Sequence, residues 1–251
     1  MRIKGLQPLL AALALTAAGL RAEPVCVTDD AEREVCLEQP AERIVALSPG
    51  ATELLFAAGA GDQVVGTVNH SDYPEAAKKI PRVGTYKRLD LEGLLAREPD
   101  LIIGWQSGNP GAQLKQLREF DVPLYLSEPR RFRDVASTLE RLGALAGTRD
   151  PAKRAAREFL AAIGGLRDTY GDAQPVSVFY QIWPDPLMTI NDEHLMGQAT
   201  RLCGGNNVFG DVDNLTPRIN RESVLERDPE AIIAGGMGEA DRSWLEPWRQ
   251  F

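Results

Sequence analysis

Arg88-Leu-Asp-Leu-Glu92-Gly-Leu-Leu95-Ala-Arg97-Glu-Pro99-Asp-Leu-Ile102-Ile103 recurs as Arg218-Ile-Asn-Arg-Glu222-Ser-Val-Leu225-Glu-Arg227-Asp-Pro229-Glu-Ala-Ile232-Ile233. Arg, Glu, Leu, Arg, Pro and the isoleucine pair coincide without a gap. Each copy reads as a short helix halted before a proline and followed by a buried strand. Upstream, Gly61-Asp-Gln-Val-Val-Gly66 is echoed by Gly205-Asn-Asn-Val-Phe-Gly210. The same supersecondary unit is therefore written twice, which predicts two similar lobes. Leu95 and Leu225 read as core contacts. Glu92 and Glu222 sit near helix starts, where the helix dipole favours a carboxylate. The same two acids also read as an exposed pair, one per lobe, offered to a cationic partner of matching symmetry.

Outward from the first copy, strands and helices alternate. Ile44–Leu47 reads as a strand, and Ser48-Pro49 as the cap and first turn of a helix that ends at Gly59. Val64–Gly66, Leu101–Ile103 and Pro123–Leu126 read as further strands. Helices are expected at Leu91–Arg97, Leu114–Phe120 and Phe132–Ala146. This alternation predicts parallel α/β layering over residues 42–148. Residues 149–171 are long, charged and helical, and read as a helix joining the lobes. Its Gly164-Gly165 pair weakens it by about 1 kcal/mol per glycine relative to alanine. Strand–helix alternation resumes at Val176, so residues 175–251 form the second lobe. Clefts between such lobes are common ligand sites.

The start of the chain has a different character. Arg2 and Lys4 precede an apolar run from Leu9 to Leu20, with small residues before a cleavage point after Ala22. Residues 1–22 therefore read as a secretory signal peptide. Residues 25–40 read as a hairpin, in which Val25-Cys-Val27 and Val35-Cys-Leu37 flank a polar turn. Cys26 and Cys36 would then face each other on one side, and the apolar residues would share the other. A cross-strand disulfide is expected, with free thiols or a metal pair as alternatives. Cys203 is left over.

The net charge of −8 disfavours nucleic acid and anionic membrane surfaces as partners. No Gly-x-Ser-x-Gly elbow, Walker loop or His-Glu-x-x-His is present, and the only histidines, His70 and His194, fall in different lobes. His194, beside Asp192 and Glu193, reads as a loop or helix-start residue. A capture protein without catalytic function or resident cofactor is expected ahead of an exported α/β enzyme.

Leu47–Gly59, Ser71-Asp-Tyr-Pro74, Leu91-Glu92, Pro99–Trp105, Gly108-Asn109 and Cys203–Phe209 resemble the periplasmic cobalamin-binding proteins of ABC importers. The resemblance runs from Ile44 almost to the end and is weaker after Gly210. The wider family binds ferric siderophores, haem and cobalamin. The resemblance implies two parallel-sheet α/β lobes joined by one long backbone helix, the third class of periplasmic binding protein. It implies a monomer in the periplasm that captures a corrinoid, with haem or a ferric siderophore as the alternative. It also implies that Glu92 and Glu222 dock onto the two permease subunits of the inner-membrane transporter.

The site carries over with departures. Ligand contacts are expected from His70, Tyr73, Tyr86, Trp105, Asn109 and Trp183, since aromatic faces suit a flat macrocycle. Tyr73, Tyr86 and Trp105 read equally well as core. His70 stands where the family has a tyrosine. It could contact the ligand, coordinate its central metal axially, or be a solvated loop residue. Tyr86 and Thr216 stand where the family has tryptophans. Relatives continue beyond Phe251 with another strand and a helix that carries the partner of the Cys203 position. The second lobe is therefore expected to be incomplete and Cys203 unpaired.

Overall fold

The computed structural model describes residues 23–235 and 242–250. The leader expected over residues 1–22 lies outside the described residues. No described helix is long and apolar enough to cross a membrane.

Strands β1 (Val25–Thr28) and β2 (Glu34–Leu37) form the antiparallel hairpin, with Cys26 opposite Cys36 and a disulfide between them. The bond removes both alternatives, free thiols and a metal pair. The one cluster of potential metal ligands among the described residues, Cys26, Glu34 and Cys36, contains these same bonded sulfurs. Val25, Val27, Val35 and Leu37 turn inward onto the first lobe, as strict alternation requires.

The first lobe contains β3 (Ile44–Ala46), α1 (Pro49–Ala57), β4 (Val64–Thr67), a small ribbon of β5 (Gly84–Thr85) and β6 (Arg88–Leu89), α2 (Leu91–Leu95), β7 (Leu101–Trp105), α3 (Gly111–Leu117), β8 (Leu124–Ser127) and α4 (Phe132–Leu145). Four of these strands make one parallel sheet in the order β4-β3-β7-β8. A parallel sheet needs cover on both faces. Ile44, Ala46, Leu101, Ile103 and Tyr125 face α1, α4 and the hairpin, whereas Val45, Leu47, Ile102, Leu124 and Leu126 face Leu94 of α2 and Leu114 and Leu117 of α3.

Helix α5 (Arg149–Tyr170) links the lobes. Its buried residues, Ala152 and Ala156, lie in its first two turns. A Cβ placed on Gly164 or Gly165 would meet nothing within 4 Å. The second lobe contains β9 (Val176–Gln181), a ribbon of β10 (Trp183–Pro184) and β11 (Leu187–Met188), α6 (Leu195–Leu202), β12 (Gly205–Asn207), α7 (Arg221–Arg227) and β13 (Ala231–Ala234). Its parallel sheet, among the described residues, runs β12-β9-β13. That order repeats β4-β3-β7 strand for strand.

The repeat extends to atomic detail. Asp90 caps α2 by accepting the Gly93 N–H at 3.0 Å, and Asn220 caps α7 by accepting the Ser223 N–H at 2.8 Å. Left-handed backbone then follows at matching positions, at Asp228 (φ 44°), which is the cap that stops α7, and at Glu98 (φ 47°), two residues beyond the Ala96 cap of α2. Next, the Asp100 carboxylate accepts the N–H groups of Glu42 and Arg43 ahead of β3, while Glu230 accepts the N–H and hydroxyl of Ser177 in β9. The same three devices thus lock helix to strand in each lobe.

One sequence expectation is shifted by a residue. Leu94 and Val224 are the core residues of these helices, at 0% and 1% exposure. Leu95 is only partly buried and Leu225 is 41% exposed. Helices of five and seven residues make barely two turns, so the apolar stripe is too short to select one of two adjacent leucine-like positions.

Candidate functional site: an inter-lobe cleft

The cleft between the lobes holds a cavity of about 290 Å³. Its first wall is the start of α1 (Ser48, Pro49, Gly50, Ala51 and Leu54) with Tyr86, Trp105 and the segment Ser127–Arg130. The second lobe contributes His194, Leu195 and Leu215. Ser48 places α1 there because its hydroxyl accepts the Ala51 N–H at 3.0 Å and fixes the first turn. Trp105 ends β7, at the carboxyl edge of the parallel sheet where such folds bind ligands. Its ring lies 5.7 Å from that of Tyr86, at 44°. Together they present an apolar aromatic surface to the cavity.

Asn109 is not on the surface of this wall. It is 5% exposed, and its oxygen accepts the Trp105 N–H while its amide donates to the carbonyls of Leu47 and Tyr86. It ties together the segments that carry both rings. His70 is exposed at φ 67° and Tyr73 is 69% exposed, and neither lines the cavity. Trp183 is 40% exposed on the second-lobe ribbon and also stands outside the lining. It reaches the first lobe through the Lys87 ammonium, which lies 5.6 Å from its ring and 5.5 Å from that of Tyr86. A second bridge, Arg130 to Glu193 at 3.8 Å, joins two exposed side chains and contributes about 0–1 kcal/mol.

A cleft-lining residue that the sequence did not mark is His194. It does start a helix, since its Nδ1 accepts the Met196 N–H at 3.1 Å. It also faces the cavity across from Glu128 and Arg130. Burial pushes its pKa below the ordinary 6.5, against an upward pull from Glu128, and Arg130 adds to the depression. At neutral pH it is therefore uncharged. An acceptor role at Nδ1 places the remaining proton on Nε2. The ring then offers the cleft a hydrogen-bond donor rather than a free metal-ligating nitrogen. No local pattern marks this, because Glu128 and His194 come from different lobes.

Glu92 and Glu222 both lie in the first turn of their helices and both are exposed. Cys203 closes α6 as an exposed free thiol.

A family model described as periplasmic binding protein matches residues 44–244. The vitamin B12-binding protein of Yersinia pestis (strain Pestoides F) is 37% identical over 198 residues, 79% of this chain and 71% of that one. The vitamin B12-binding protein of Yersinia pseudotuberculosis serotype O:1b (strain IP 31758) is 39% identical over the same extent. Among solved structures, the periplasmic vitamin B12 binding protein BtuF of Vibrio cholerae superimposes with a TM-score of 0.73 at 35% identity, covering 78% of this chain and 77% of that one. The periplasmic haem-binding protein RhuT from Roseiflexus gives a TM-score of 0.69 at 27% identity, with 77% and 76% covered. The family consists of solute-binding proteins, which sets aside the reading as an exported enzyme. The two repeated lobes, the cleft between them and the match over residues 44–244 lead to one conclusion: the chain belongs to the periplasmic binding protein family.

Proposed function

We propose that this protein is the periplasmic substrate-binding component of an ABC importer and that it captures cobalamin or a related corrinoid in the inter-lobe cleft. The observation that carries the reading is the paired Tyr86 and Trp105 rings on the cleft wall of a chain 37–39% identical to vitamin B12-binding proteins. A corrinoid is a flat macrocycle fringed by carboxamides. Aromatic faces bury its plane with little loss of side-chain entropy. The Nε2–H of His194 suits a carboxamide oxygen at the fringe, and Trp183 and Lys87 stand near the rings for a ligand larger than the cavity.

Haem is the second reading, because the Roseiflexus relative is a haem-binding protein. His194 as hydrogen-bonded here argues against axial ligation from the second lobe. A ferric siderophore fits less well, since anionic chelates favour several arginines and this lining carries one arginine, Arg130, together with the carboxylate of Glu128. Calorimetry with cyanocobalamin, haemin and ferric chelates is the test. One-to-one corrinoid binding is expected, and tight haemin binding without corrinoid binding would overturn the choice.

Delivery follows from the repeat. Glu92 and Glu222 are proposed to meet arginines of the two permease subunits, one acid per lobe, in charge-assisted bidentate pairs. The Glu92→Lys/Glu222→Lys variant should lose transport while changing cyanocobalamin affinity by no more than about twofold, since neither acid lines the inter-lobe cleft. Loss of ligand binding instead would place these acids in the pocket. The proposed setting is the periplasm, as a monomer, without nucleic-acid or catalytic function.

A further inference from the structure

The hairpin lies ahead of the family match, which begins at residue 44, and none of its residues lines the cleft. Its turn is nevertheless bonded to the strand that does. β8 is the edge strand of its sheet, so its outer N–H and C=O groups need partners. The Asp30 N–H donates to the Leu126 carbonyl at 2.9 Å, and the Leu126 N–H donates to an Asp29 carboxylate oxygen at 3.2 Å. The Glu128 N–H then donates to Asp30 Oδ2 at 2.6 Å. The other Asp30 oxygen accepts from Arg141, at 2.6 Å, and Arg141 also binds the Thr28 carbonyl and Thr138 hydroxyl. Asp29 folds the turn by accepting the N–H groups of Ala31 and Arg33. Glu128 is held at both ends, because its carboxylate accepts the Ser107 N–H at 2.8 Å.

We propose that the disulfide-closed hairpin is a positioning device for the ligand cleft: Asp30 fixes the Glu128 backbone, and thereby sets the Ser127–Arg130 wall opposite His194. Ser127, Glu128, Pro129 and Arg130 are all lining residues. Ser127 is the last β8 residue and pairs with Trp105, and the Arg130 N–H donates to Asp134 at 3.2 Å; between these two anchors Glu128 is held by the Asp30 and Ser107 contacts. The disulfide matters because it fixes the separation of Cys26 and Cys36, at 4.1 Å between Cα atoms, on which the Asp29–Asp30 turn is mounted. The ligand part of this inference rests on the corrinoid reading; the geometric part does not.

The test therefore has two readouts. The first needs no ligand: hydrogen exchange at the Glu128 amide and an NMR pH titration of His194. In Asp30→Ala the amide should exchange at least about tenfold faster, the scale of one lost charge-assisted hydrogen bond. The His194 midpoint should fall further, because Glu128 raises it while burial and Arg130 lower it. Asp30→Asn, which keeps an acceptor for the Glu128 N–H, should restore much of the protection. The second readout is cyanocobalamin affinity, expected to weaken about tenfold in Asp30→Ala. A folded Asp30→Ala protein with unchanged exchange and unchanged His194 titration would overturn the proposal. If that variant does not fold, the Cys26→Ser/Cys36→Ser protein and the reduced wild type are read by the same two measurements with the same criteria. If wild type binds no corrinoid, the function assignment falls, while exchange and titration still decide the positioning role.

Discussion

Replacing Phe179 with alanine should destabilise the protein by about 3–5 kcal/mol, the range for a buried phenylalanine that leaves a cavity. Phe179 is fully buried in the central strand of the second-lobe sheet. It meets Phe209 and Trp248 edge-on, at ring separations of 5.8 and 5.4 Å. Trp248 is fixed in turn by donating its indole N–H to Gln181 at 2.8 Å. Among the described residues the buried members of this core are Phe179, Phe209, Val224 and Trp248, whereas the first lobe has two larger clusters around its sheet. The loss is therefore expected to be lobe-selective. Amides in β9, β12 and β13 should lose exchange protection well before those of β3 and β7. Uniform loss across both lobes would show instead that the two cores melt as one unit.

The second large effect is on the ligand. Trp105→Ala should weaken cyanocobalamin binding by about 30- to 100-fold, as for an aromatic anchor in an interface. Thermal stability should change little, because the ring is only partly buried. A companion variant separates ring from position. A Cβ on Gly108 would lie 2.0 Å from the Trp105 ring. Gly108→Ala must therefore push the indole out of place while leaving it in the protein. Both variants should weaken binding if the ring's location matters. Affinity retained in both would remove Trp105 from the proposed wall.

Much of the architecture was legible in the sequence for local reasons. A proline after each short helix and an isoleucine pair beyond it state helix, stop and strand within sixteen residues, while the Asp90 and Asn220 caps emerge only in the structure. The hairpin was legible because its period of two puts both cysteines on one side. The cleft was harder to read. Asn109 looks like a ligand contact until its partners are known, and these lie at Leu47 and Tyr86, far away in the chain. His194 reads in the sequence as a loop or helix-start residue, and it caps α6, but its place opposite Glu128 and Arg130 arises only when the lobes meet. His70 matched a family position, yet its left-handed backbone and exposure place it outside the cavity lining. Local signals specify elements; the walls of a site between lobes depend on contacts with no local trace.

The linking helix sets how the clamp yields. Its first half is tied down through Ala152 and Ala156, and its second half carries no buried residue. The Gly164-Gly165 pair falls in the free half, with open space where two methyl groups could stand. Each glycine lowers helix stability by about 1 kcal/mol relative to alanine, so elastic strain between the lobes should concentrate there. Gly164→Ala/Gly165→Ala would stiffen this spring without a clash, and spin labels on the two lobes should report a narrower distance distribution. An unchanged distribution would locate the compliance elsewhere. On this reading two absent methyls, at positions where a Cβ would touch nothing, set the softness of the jaw.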